Sequence, residues 1–154
     1  MILVIGIGNP ARGDDAAGLM VARRIRGAAA PCDVTVAELA GDQLALLDAW
    51  TGAREVYVID AVCSGGTPGT VYRFDAAEPL TAHFWHCGTH TFSLADVIEL
   101  GRALGRLPAR LTGFGIEGAM FEPGAALSPE VEAAVEAVTA LLLGELRENR
   151  SRAS

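Results

Sequence analysis

Residues 54–62 read REVYVIDAV, and residues 2–7 read ILVIGI. In each run apolar side chains fall on both faces of the strand it would form, so both faces must be covered; this is the signature of a parallel sheet packed between helices and not of a half-solvated antiparallel one. Between and after these runs lie stretches with helical spacing. Residues 14–26 place Ala17, Met20, Val21 and Ile25 on one face, residues 42–50 (DQLALLDAW) form a short helix ended by Gly52, and residues 92–105 turn Leu94, Ile98 and Gly101 inward. A last helix opens at Ser128-Pro129 and carries the stripe Val131, Val135, Val138, Leu142 and Leu146. Further strands are expected at 33–39 (DVTVAEL), 69–75 (GTVYRFD) and 110–116 (RLTGFGI).

Alternation of this kind predicts a single α/β domain over residues 1–148: a three-layer, open twisted sheet of about five strands with helices on both faces, followed by a frayed tail at 149–154. The sheet is expected to be mostly parallel with one antiparallel strand. Only the seven residues CSGGTPG separate the third strand from the fourth, too few for a crossover, so the fourth should run antiparallel at or near an edge. If the second and third strands flank the first, the chain reverses between strands one and three, and a crevice opens at their carboxyl ends.

The composition excludes several partners. A net charge of −7, with twelve arginines and no lysine, provides no basic face for a nucleic-acid backbone or an anionic membrane. No stretch approaches membrane-spanning length. The apolar start lacks a basic leader and a small-residue cleavage site and reads as a strand, and Cys32, Cys63 and Cys87 form no paired spacing. A cytoplasmic protein is expected.

The crevice draws attention to GIGNPARGDDAAG, residues 6–18, directly behind the first strand. Its glycines suit a tight strand-to-helix turn. One aspartate there suffices as a helix N-cap, a role expected for Asp14; Asp15 is then left over, kept ionised by the positive helix end. Asp60 ends the third strand at the same mouth, where it serves either a turn or a site. A third group, AHFWHCGTH at 82–90, crowds His83, His86, Cys87 and His90 together. These are zinc-type ligands, although their spacing fits no standard finger, and three alternatives stand: a self-contained zinc site, a loop with scattered histidines, or one histidine turned back toward the aspartates.

GIGNPARGDDAAG, VIDAV and THTFSLADVI, in that order and at these separations, resemble the hydrogenase maturation protease family. The resemblance extends to PGTVYRFD, LTGFGIE and EPGAALSPEVEAAV, nearly the whole chain. It implies an endopeptidase that trims the C-terminal extension from the large-subunit precursor of a nickel-iron hydrogenase. It also implies a metal site formed by Asp15, Asp60 and His90, which are the catalytic and metal-binding positions expected here, recognising nickel borne by the substrate and not held tightly at rest. Ala16 replaces the family's usual Gly, and the resemblance assigns no role to Cys63, His83, His86 or Cys87. Two carboxylates and an imidazole suit a divalent transition ion and leave positions open for substrate groups. No GxSxG elbow or HExxH helix is present.

Two other readings stand beside this one. Gly6, Gly8 and Ala11 mimic a tolerant dinucleotide fingerprint, with Glu38 where a ribose-binding acid would lie, although Asp14 and Asp15 would repel a pyrophosphate. A non-catalytic nickel-handling accessory protein would share the acidic cleft without cutting peptides.

Overall fold

The structure, a computed structural model, describes residues 1–28, 33–77 and 94–153. Five strands, β1 (Ile2–Ile7), β2 (Val34–Leu39), β3 (Glu55–Val62), β4 (Val71–Asp75) and β5 (Arg110–Glu117), form one sheet in the order β2-β1-β3-β5-β4. The first four in that spatial order are parallel, and β4 pairs antiparallel with β5 at the edge, Val71 opposite Ile116 and Asp75 opposite Thr112. The connection, residues 63–70, is too short for a crossover. As expected, β1 lies between β2 and β3, and the chain changes direction there.

Helices α1 (Ala17–Gly27) and α4 (Pro129–Ala153) cover one face; α2 (Gln43–Trp50) and α3 (Leu94–Ala103) cover the other. Alternate residues of the inner strands explain the split. Ile2, Val4, Tyr57, Ile59, Phe114 and Ile116 pack with Val21, Ile25, Val135, Val138 and Leu142, while Leu3, Ile5, Val56 and Val58 pack with Leu47, Trp50 and Ile98. Both β1 and β3 are buried along their whole length, which is why neither alternates in sequence. Each fully buried Ile, Leu, Val or Phe contributes about 1.5–3 kcal/mol relative to exposure. Asp42 caps α2, its Oδ1 accepting from the Leu44 and Ala45 amides.

Residues 149–153 continue α4. The Asn149 amide donates to Glu55 Oε1 and to the Tyr57 hydroxyl, each at 2.9 Å, and Tyr57 in turn donates to Glu55. Burial, together with that bond to Glu55, pushes the Tyr57 phenol well above its ordinary range. A polar anchor invisible to apolar periodicity thus holds the helix end to the amino end of β3.

Candidate active site

At the carboxyl ends of β1 and β3 the chain folds a loop and a short 3-10 turn, Gly13–Ala16, before α1 begins. Gly13 has φ 55°, and a Cβ there would lie 2.3 Å from the Met120 carbonyl oxygen, so only glycine fits. The turn packs against β3. Behind it α1 approaches the sheet as closely as backbones allow: a Cβ on Gly18 would lie 2.2 Å from the Ile59 oxygen and 2.6 Å from that of Ile7. That contact places the start of α1 over the gap between β1 and β3.

Asp15 and Asp60 both come to this gap. Asp15 is 2% exposed and its Oδ2 accepts from the Asn9 amide at 3.1 Å. Asp60 is 5% exposed and its Oδ1 accepts from the Ala61 amide at 2.8 Å. His90 lies outside the described residues, as do His83, His86 and Cys87, so the third predicted ligand and the self-contained histidine site have no geometry here. Cys63, just past β3, is a free and exposed thiol.

Asp14 does not do what the sequence suggested. The N-cap positions are Arg12 for the turn and Ala16 for α1, neither with a side-chain cap, and Asp14 instead reaches across to the segment between β5 and α4. Its Oδ2 accepts from the Ala119 and Met120 amides at 2.8 and 2.9 Å and from the Ser128 hydroxyl; its Oδ1 accepts from the Ser128 amide at 2.8 Å. Burial works to raise the Asp14 pKa, but the Ser128 hydroxyl and the three amides outweigh it and hold the carboxyl below its ordinary value. Two backbone bonds run alongside, Asp14 N to Met120 O and Gly124 N to Ala11 O, both 2.7 Å.

Glu117, which carried no signal in the sequence, is the second organiser of the cleft. It is 1% exposed at the end of β5 and accepts from the Ser64 amide and hydroxyl and from the Gly66 amide. It therefore holds the loop that follows Asp60's strand. The segment 117–128 thus ties down the loop after β3 through Glu117 and the turn that carries Asp15 through Asp14.

What the described residues offer chemically is a pair of buried carboxylates at a switch point, a donor set that suits a divalent cation. Among the described residues no group of three such ligands is assembled. The dinucleotide reading fits the geometry poorly. Glu38 accepts from Arg26 Nη1 at 2.6 Å and Arg23 Nε at 2.8 Å, bonds that lower its pKa and occupy the carboxylate a ribose would need.

The model of a protein family described as hydrogenase maturation protease matches residues 20–145. The chain belongs to that family. It is 29% identical to the hydrogenase 2 maturation protease of Escherichia coli K12 over 150 residues, covering 96% of this chain and 92% of the relative. It is 30% identical to the hydrogenase expression/formation protein HupD of Rhodobacter capsulatus over 149 residues, 95% of this chain and 71% of the relative. The solved structure of the hydrogenase maturating endopeptidase HybD from E. coli superposes with a TM-score of 0.75 at 28% identity, covering 96% and 93% of the two chains. As a hydrogenase maturation protease, the chain is an endopeptidase of hydrogenase maturation, and the resemblance seen in its three motifs is borne out. No described helix is long and apolar enough to cross a membrane.

Proposed function

We propose that this endopeptidase removes the C-terminal extension of a nickel-iron hydrogenase large-subunit precursor in the cytoplasm, and that it recognises the nickel the precursor already carries through Asp15, Asp60 and His90. The observation that carries the reading is the burial of Asp15 and Asp60 at the carboxyl ends of β1 and β3, where residues 117–128 hold both the turn that carries Asp15 and the loop that follows β3. A cysteine-bound nickel lacking a full shell would complete it from the protease side, so only a correctly loaded precursor would be held for cleavage. The metal is part of the substrate. Bound there it supplies Lewis-acid character; Asp15 and Asp60 orient it, with Asn9 and Ala61 amides each holding one carboxylate oxygen.

The test uses purified protein with nickel-loaded and nickel-free precursors of hydrogenase large subunits, followed by mass spectrometry. A C-terminal truncation in the loaded precursor alone is the expected result, and Asp15→Ala should abolish it. Equal cleavage of both precursors would sink the recognition of nickel. Binding of the loaded precursor without any truncation would favour a nickel-handling accessory role.

A further inference from the structure

We infer that Asp14 is a positioning residue for the reaction: through its contacts with residues 119–128 it sets where the neighbouring Asp15 carboxylate stands in the cleft. The inference deepens the proposed function and rests on its assignment of Asp15 to the metal.

Three features lead to it. Asp14 and Asp15 are consecutive in a four-residue 3-10 turn, a conformation with weak hydrogen bonds of its own. Neither the turn nor α1 is secured by a side-chain cap, so its orientation depends on tertiary anchors. Asp14 supplies the anchor: its side chain is 0% exposed and both its oxygens are engaged by donors 105 to 114 residues away. The glycines on either side leave no slack, since a Cβ on Gly118 would stand 3.0 Å from the Asp14 Cβ, and one on Gly8 would stand 1.9 Å from the Asp15 carbonyl oxygen. The carboxylate that follows accepts from the Asn9 amide at 3.1 Å. Loss of the Asp14 contacts would let the turn rotate, and a rotation displaces Asp15 from Asp60 without removing either ligand.

The test separates positioning from stability. Cadmium binding to Asp14→Asn, Ser128→Ala and wild type is titrated calorimetrically at a temperature where circular dichroism shows each folded. A control, Leu146→Ala, loses core packing in α4 close to the Glu145 end of the molecule. Loss of an outer contact to a metal ligand typically weakens binding tenfold to a hundredfold. Asp14→Asn should bind cadmium at least tenfold more weakly than wild type and show a raised KM for nickel-loaded precursor, while Leu146→Ala should bind as wild type does. Ser128→Ala, which keeps the amide donors, should show a smaller change in the same direction, restored by Ser128→Thr; it carries the test if Asp14→Asn fails to fold. Native cadmium affinity and native KM in folded Asp14→Asn and Ser128→Ala would overturn the inference. If wild type itself binds no cadmium and Asp15→Ala processes normally, the metal site is lost and this inference with it. Loss of binding in Asp15→Ala but not in Asp14→Asn would defeat the positioning role alone.

Discussion

Ser128 holds Asp14 twice across 114 residues of sequence, donating its amide to Oδ1 at 2.8 Å and its hydroxyl to Oδ2. The start of the last helix is therefore tied to the turn at residues 13–16, and the carboxylate between them has amides and a hydroxyl as its bonded donors. Removing it leaves several part-buried donors without their acceptor, and a buried donor left unsatisfied costs about 1–3 kcal/mol. Asp14→Ala should destabilise by about 3 kcal/mol, beyond the 0.5–2 kcal/mol of a lost N-cap. Chemical denaturation measures this directly; a loss near zero would show that the loops hold together without it.

The same carboxylate sets a pH dependence. Its folded pKa lies below the ordinary value of 3.8, so its contribution to stability is complete above that value and is lost as pH falls through the depressed pKa. In Ser128→Ala one of the bonds that lowers the pKa is gone. Melting curves between pH 6 and pH 2 should therefore show the variant furthest below wild type above about pH 4, with the gap closing in stronger acid. A gap that widened in acid would contradict the sign.

Asp15 should behave differently from its neighbour. Its bond from the Asn9 amide is worth about 0.5–1.5 kcal/mol. Asp15→Ala should thus unfold within about 1.5 kcal/mol of wild type and yet process no precursor. Normal processing would mean that the wrong aspartate has been assigned.

Ligand-induced shifts in melting temperature distinguish a metal site from a nucleotide cradle. Nickel, zinc or cadmium should stabilise the protein by mass action, and millimolar NAD or ATP should not. The metal effect should fade as acid protonates His90, whose ordinary pKa is about 6.5. Asp60→Ala and His90→Ala should blunt it, whereas His83→Ala and His86→Ala should leave it intact. Stabilisation by nucleotide alone would reverse the assignment.

Gly18 and Gly144 make a matched pair. A methyl group on Gly18 would meet the backbone oxygens of Ile59 and Ile7, so Gly18→Ala should cost about 3 kcal/mol and disturb the turn above it. Gly144 lies mid-helix in α4 with nothing within 4 Å of a Cβ, and Gly144→Ala should stabilise by about 0.5–1 kcal/mol. Differential scanning calorimetry of both variants checks the signs.

The architecture was legible because it rests on local rules: the unbroken apolar runs at 2–7 and 54–62 demand two covered faces, and the short link at 63–69 forces β4 to turn back. The placement of Asp15 and Asp60 at the carboxyl ends of β1 and β3 was legible because a switch point gathers whatever stands at those strand ends. Asp14 was misread because a cap is a contact within a few residues, whereas its true partners lie beyond β5. Glu117 gave no signal for the same reason: its donors, Ser64 and Gly66, lie more than fifty residues earlier in the chain. Asn149 was hidden by its polarity, since periodicity registers only apolar faces.

The strand order also dictates a sequence of assembly. Strand β4 leaves the ribosome before β5, its one neighbour among the described strands, so the sheet is completed by a strand that slides in between β3 and β4. Asp15 and Asp60 have both emerged by then, but Ala119, Met120 and Ser128 follow β5. Because domains set such long-range contacts late, a growing chain carries the acidic pair well before anything braces it. The two carboxylates are thus in place in the chain before the residues that fix their surroundings have been made.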